Sequence, residues 1–289
     1  MLKSLRALCL AASVLCVSVS SFAQVESSSF LANFDGKPAQ VISLKEAAGN
    51  LSGVVYNYDT QTYFVIQNNS FQFVEYDKSF TKALRIIKLV NLPDKDTEDI
   101  AYLGNEQFAI SMESNVILIF SLRAGQTTVD VNSKLADVQL LTLPEPNKDN
   151  KGIEGLCYTT KGGNGAGVLY AVQEDRPKRV FMIPRPTDMN DVTSSRKLKF
   201  TEPFNVDKIF KHVMSDLSGC TYSDKHNNLL VLSHESSRLM EINQAGAVVK
   251  TLDLPPSAAT QYEGVTIGPA GELILASEPD KIVIFKPKN

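Results

Sequence analysis

One phrase recurs five times along this chain: a small or acidic residue, a glycine in four of the copies, an apolar strand, a turn, a second apolar strand, and a polar ending rich in Glu. The copies start at Ser52, Glu98, Glu154, Ser218 and Glu263, roughly 45 to 64 residues apart. Their second strands end at Gln67 and Asn68, Glu113, Glu174, Glu235 and Glu278. Repeats of this length, each with three or four strand-like runs, suit the blades of a β-propeller.

The fifth copy is one strand short. A lone strand expected over 39–44 has no hairpin partner beside it in sequence, and placed against the fifth copy it closes the ring and leaves no open edge. The expected fold is therefore all-β, a five-bladed β-propeller over 33–289 as a single domain, with an N-terminal strand completing the last blade. A β-sandwich is the alternative, but it gives no reason for five copies of one phrase. One helix is expected over 206–214, where Val206, Ile209, Phe210 and Val213 fall on one face at helical spacing. Blade three is expected to carry a fourth strand over 196–201.

The first 23 residues have the composition of a secretory signal: Lys3 and Arg6, an apolar stretch over 8–19, and Ser21-Phe22-Ala23 as a small-x-small cleavage site. A polar leader, 24–32, would follow. Periplasmic or secreted localisation is the expectation. Leu15 is too bulky for a lipoprotein signal ahead of Cys16, and no stretch approaches the ~20 apolar residues of a transmembrane helix. A hydrophobic content of 43% supports a real core, and a formal net charge of −3 offers nothing to nucleic acid. A monomer is expected.

Cys157 and Cys220 stand two residues and one residue after the glycines of their copies, so strand alternation puts their side chains on opposite faces. They are expected as two buried, unpaired thiols rather than a disulfide.

In a hairpin the start of the first strand lies beside the end of the second. In a propeller the first strands line the central channel, so blade starts and second-strand ends should gather at one mouth. Seven glutamates would meet there: Glu98, Glu154 and Glu263 in an inner ring, and Glu113, Glu174, Glu235 and Glu278 around them. Carboxylates so close must take up protons, stay solvated or bind a cation. Calcium fits, because it accepts six to eight oxygens of mixed kind at about 2.3–2.6 Å. Zinc would need nitrogen or sulfur, of which His234 alone is at hand. The competing reading is that these glutamates cap strand ends. Asp99 and Asp216 abut the same positions and read as turn residues. The recurring glycines suit close approach of backbones near the axis.

Other signals carry less. The glycine-rich run over 162–167 lacks the Gly-Lys-Ser/Thr ending of a phosphate loop, and no helix follows it. His212, His226 and His234 are too scattered for a metal motif, and no nucleophile elbow is visible.

The phrases NLSGVVYN with YFVIQNN, EDIAYLGNEQFAI, KGIEGLCYT, SDLSGCTYS with LLVLSHESSRLMEIN, and YEGVTIGPAGELILASEPDKIVIF resemble the SdiA-regulated family of exported bacterial proteins, over about residues 50–285. The resemblance implies a five-bladed propeller distantly similar to NHL-repeat proteins, with a calcium site in some members and no settled activity. It carries metal positions over to Glu98, Glu154 and Glu263. Ser52 and Ser218 stand at the other two blade starts, so an ion would sit off-centre or complete its shell with backbone oxygens and water. Asp99 replaces the usual glycine, which leaves the local backbone there open. The function expected is that of an exported calcium-binding module taking a small ligand or a protein at the acidic mouth, and the balance leans away from an enzyme. The alternative is a metal-dependent hydrolase of lactone or phosphate-ester type.

Overall fold

The computed structural model describes residues 28–132, 137–143, 151–161, 165–186 and 198–288. The signal over 1–23 lies outside the described residues, as do the first part of the leader and the first half of the glycine-rich run. Five sheets stand around a common axis, one per copy of the phrase.

Blade one is β2 (Leu51–Asn57), β3 (Thr62–Gln67), β4 (Gln72–Tyr76) and β5 (Ala83–Val90). Blade two is β6 (Thr97–Gly104), β7 (Gln107–Met112), β8 (Val116–Ser121) and β10 (Val138–Thr142). The polar insertion before β10 contributes β9 (Thr128–Asp130), which pairs in parallel with β5 of the previous blade. Blade three is β11 (Ile153–Thr159), β12 (Val168–Gln173) and β13 (Arg179–Pro184). Part of its expected fourth strand lies outside the described residues, and the rest makes one bridge, from Met182 to Thr201. Blade four is β14 (Gly219–Ser223), β15 (Asn228–Ser233), β16 (Arg238–Asn243) and β17 (Val248–Asp253). Blade five is β18 (Gln261–Ile267), β19 (Leu273–Glu278) and β20 (Lys281–Phe285), and β1 (Gln40–Ser43) pairs antiparallel with β20 as its fourth strand. The ring is closed by the chain's two ends, as expected.

The inner three strands of each blade are largely buried on both faces, and alternation splits them between two cores, whereas the outer strands β1, β5 and β17 are mostly exposed. On β7, Phe108, Ile110 and Met112 join Phe64, Phe73 and Ile87 between blades one and two. Ala109, the residue between, faces Leu169 and Ala171 of blade three. Three further clusters fill the remaining interfaces around the ring.

The helix is shorter than its apolar pattern. α1 (Val206–Phe210) starts at Asn205, whose side chain accepts from the Lys208 backbone N–H at 2.9 Å. Val206 and Phe210 pack on the core between blades three and four, whereas Val213 is exposed beyond the helix end. At the N-terminus Phe30 and Leu31 are buried. Their N–H groups donate to the fully buried Glu241 carboxylate at 2.8 and 3.0 Å, and Asn228 donates to it at 2.7 Å.

The cysteines correct the sequence reading, because Cys157 and Cys220 form a disulfide with Cα atoms 5.6 Å apart. They do sit on opposite faces of their strands. In a ring of face-packed sheets, however, one blade's forward face meets the next blade's rear face, so opposite faces on neighbouring blades point at each other. Both cysteines belong to the single core between blades three and four. Among the described residues no helix is long and apolar enough to cross a membrane.

Candidate functional site

The inner strands touch at the level of the recurring glycines. A Cβ on Gly155 would lie 2.6 Å from the Gly219 Cα, and one on Gly264 would lie 2.9 Å from the Gly53 Cα. Only the missing side chain allows this approach. Asp99 holds the corresponding place in blade two and lies within β6, not in a turn as its neighbours in sequence suggest. Its carboxylate accepts from the Leu156 and Ile100 backbone N–H groups, each at 2.8 Å, and so clasps the inner strand of blade three. Complete burial nevertheless drives its pKa well above the ordinary aspartate value, against those two bonds. This waist divides the channel, with residues just before it lining one mouth and residues just after it the other.

The first mouth is acidic. A cavity of about 140 Å³ is lined by Glu98, Glu154 and Glu263 at three blade starts, Glu174 and Glu278 at two second-strand ends, and Ser52, Asn68 and His234. Five of the seven expected glutamates therefore share one small space. Glu113 lies behind them: its carboxylate accepts from the Gly152 N–H at 2.7 Å and groups with Glu98 and Asp96, ligand atoms of all three lying within 4.8 Å of one another. Glu235 is exposed and does not line the cavity; its backbone N–H donates to Asp216. Ser218 also turns away, donating to the Tyr262 carbonyl at 3.0 Å.

The electrostatics follow from burial. Glu98 is 5% exposed; desolvation first, and then the charges of Glu113, Asp96 and Glu263, push its pKa up to about 9. Burial and its Glu98 and Glu113 neighbours raise Glu154 well above the carboxylate range. Glu154 hydrogen-bonds to both of those glutamates, an arrangement that requires shared protons. Burial raises Glu263 to about 7 against the pull of His234. Glu174 and Glu278 are raised too, chiefly by burial.

Two cations answer this charge. Lys151 pairs with Glu174. His234 Nδ1 lies 2.7 Å from Asp216 and 3.5 Å from Glu263. Burial alone would lower the His234 pKa, but the Asp216 hydrogen bond and the surrounding carboxylates carry it up to about 9. That shift favours the imidazolium form, in which His234 serves the carboxylates as a counter-ion. Asp216, held by His234 and Ser233 against its burial, is lowered.

Asp96 and Lys151 are members the repeat pattern does not mark, since both sit in the loops leading into their blades. The acidic residues whose ligand atoms converge most closely are Asp96, Glu98 and Glu113, a cluster of hard oxygens that could bind a metal ion of oxygen preference; Glu154 and Glu263 share the cavity with Glu98 without joining that group. The donor chemistry fits calcium and suits zinc poorly.

The second mouth is aromatic. A cavity of about 720 Å³ begins one residue past the waist, at Val54, Ile100, Leu156, Cys220 and Val265. Three residues past it stand Tyr56, Tyr102, Tyr158 and Tyr222, one in each of four blades.

Solved structures with this ring include a luciferin-regenerating enzyme at TM-score 0.51 and 15% identity, covering 88% of this chain and 96% of that one. A glutaminyl cyclase from Myxococcus xanthus matches at TM-score 0.53 and 11% identity, over 87% and 96% of the two chains. The gluconolactonase XC5397 from Xanthomonas campestris matches at 0.51 and 12%, over 89% and 92%. At such identities the likeness is one of fold. The sequence model of the SdiA-regulated family matches residues 28–286, nearly the whole chain, and the chain belongs to that family.

Proposed function

For this member of the SdiA-regulated family, we propose an exported β-propeller that binds calcium at the acidic mouth and uses that face as a binding module for a small ligand or a protein. The observation that carries it is the crowding of five glutamates into one cavity of about 140 Å³ against the charges of Lys151 and His234. Glu98, Glu154 and Glu263 would be the principal ligands, with Glu174, Glu278 and the Ser52 hydroxyl within the same cavity. A bound calcium ion supplies the positive charge that allows the shared protons to leave. Export is supported by the signal-like first 23 residues and by the Cys157–Cys220 disulfide, a bond that persists in oxidising compartments.

Thermal unfolding with calcium and with chelator tests the reading. An ion that binds only the native state stabilises it by about 2.7 kcal/mol at a hundredfold excess over Kd. The expected result is a calcium-dependent rise in Tm that Glu154→Gln removes; melting curves that coincide across calcium concentrations would defeat the proposal.

A hydrolase is the second reading, favoured by the Asp216–His234 ion pair at 2.7 Å behind the cavity wall. In that role water would add to the ester carbon or phosphorus and give its proton to a carboxylate of the mouth, Asp216 would orient the imidazole, and His234 as imidazolium would give its proton to the oxygen that leaves. Turnover of a lactone or phosphate ester, lost in His234→Gln while the calcium-dependent Tm rise stays, would select this reading over the binding module.

A further inference from the structure

The channel's second mouth has no part in the calcium reading, and it has the features of an independent ligand site. Its volume, about 720 Å³, lies within the range of roughly 300–1,000 Å³ usual for small-molecule sites. The glycine waist separates it from the acidic mouth, so its contents would not meet the glutamates.

Five of the chain's nine tyrosines line it, namely Tyr56, Tyr58, Tyr102, Tyr158 and Tyr222. Three are fixed in place by their hydroxyls: Tyr222 donates to Asn227 Oδ1 at 2.8 Å, Tyr158 donates to the Ala166 carbonyl at 2.8 Å, and Tyr102 donates to Asp59. Rings held in advance lose little freedom when a ligand arrives. Tyr58 is 53% exposed and meets Tyr102 edge to face, with centroids 5.0 Å apart. Its other surface is open to the mouth.

Hydroxyls line the cavity beside the rings. Thr221, Ser223 and Thr266 line the same wall, and Asp224 and His226 stand at the rim with Lys225 between them. The Asp224 carboxylate already accepts from the Thr159 hydroxyl at 2.5 Å, and the His226 Nδ1 is 2.8 Å from the Ser223 Oγ. The rim thus presents one acid beside one lysine, which favours neither an anion nor a cation. Ring faces with interspersed hydroxyls match a molecule that is apolar on its C–H faces and polar around its edge.

We propose that this tyrosine-lined mouth binds a neutral, hydroxyl-rich ring compound, and that its ligand is a short saccharide. The C–H face of a pyranose would lie on Tyr56 or Tyr58, and its hydroxyls would reach Thr221, Ser223 and Asp224.

The chain contains no tryptophan, so intrinsic fluorescence reports tyrosine alone, and most of the tyrosines are at this site. Titration of the purified protein with cellobiose, maltose and diacetylchitobiose, with 2-naphthol as a planar aromatic control, tests the proposal. The expected result is a saturable fluorescence change with at least one disaccharide. That binding should weaken about ten-fold in Tyr56→Ala, and likewise in Tyr58→Ala, whose exposed side chain can be removed without opening the core. It should persist in Glu154→Gln, the variant that tests the metal reading, so the two can fail separately. No saturable change with any disaccharide up to tens of millimolar, a change unaffected by both tyrosine variants, or binding of 2-naphthol alone would each overturn it.

Discussion

The same five inner strands run from one mouth of this channel to the other, yet one mouth gathers carboxyls and the other tyrosines. On β11, Glu154 precedes Gly155 and faces the acidic cavity, while Tyr158, three residues after Gly155, lines the opposite one. The difference is set by position relative to the waist. In the acidic mouth, buried like charges hold protons or await a cation. In the aromatic mouth some polar groups pair with one another, Tyr102 with Asp59 and Thr159 with Asp224, and no excess of one charge builds up. The comparison teaches that one repeated phrase can encode two chemistries, provided that a backbone contact keeps them apart.

The harshest way to break that separation is to widen the waist. Gly264→Val would place atoms where Gly53 and the Ser52 carbonyl now lie, and backbone cannot yield as a side chain can. A loss on the order of 4 kcal/mol or more is expected in denaturant unfolding, with both mouths disturbed. An unchanged unfolding midpoint would mean that the inner strands do not meet there.

Reducing the disulfide probes the aromatic side alone. The bond spans 63 residues of sequence and stands at the wall of the larger cavity. Its loss, or the Cys157→Ser and Cys220→Ser pair, is expected to cost about 2–4 kcal/mol while leaving the calcium-dependent Tm shift intact. If that shift disappears with the disulfide, the mouths are coupled and the comparison fails.

A gentler test uses pH. Glu98 rises from 4.5 to about 9 in the folded chain and Glu263 to about 7, so the ion-free native state binds more protons than the unfolded state in between. Its stability should therefore fall as pH rises from the ordinary carboxylate range toward about 9. His234 acts in the same sense, since stability from its raised pKa is lost as pH climbs through about 9. Calcium should flatten this decline, and Tm profiles with chelator and with calcium that run parallel would count against ion binding. The smallest effect belongs to Glu235→Gln. That side chain is exposed and outside the cavity, so a change within about 0.5 kcal/mol and an unaltered calcium response are expected by calorimetry.

Much of the ring was legible from residues alone, because strand alternation and copy spacing are local properties. The orphan strand, now β1, and the meeting of Glu98, Glu154 and Glu263 both followed from counting blades. Features that depend on the next blade were harder to read. Strand alternation gives the faces of Cys157 and Cys220 but not their pairing, which depends on how neighbouring sheets face each other. Asp99 resembles a turn residue until the neighbouring Leu156 N–H is seen waiting for it. β9 leaves its own blade to extend β5 of the previous one, and no local pattern announces that. The tyrosines of the second mouth stand in strands where tyrosine ordinarily signals core, and Tyr102 and Tyr222 are indeed core members that border the cavity, so the aromatic mouth shows only once the ring is assembled.

The closing strand has one more consequence. With β1 seated on β20 and the Lys288 N–H donating to the Asn33 carbonyl at 2.8 Å, the beginning and end of the folded polypeptide are already neighbours. A short linker could join them, and new termini cut into the turn between β16 and β17 would give a circular permutant whose blades keep their order. In such a permutant the fifth blade would hold its four strands in one continuous stretch of chain, with β20 leading through the linker into β1.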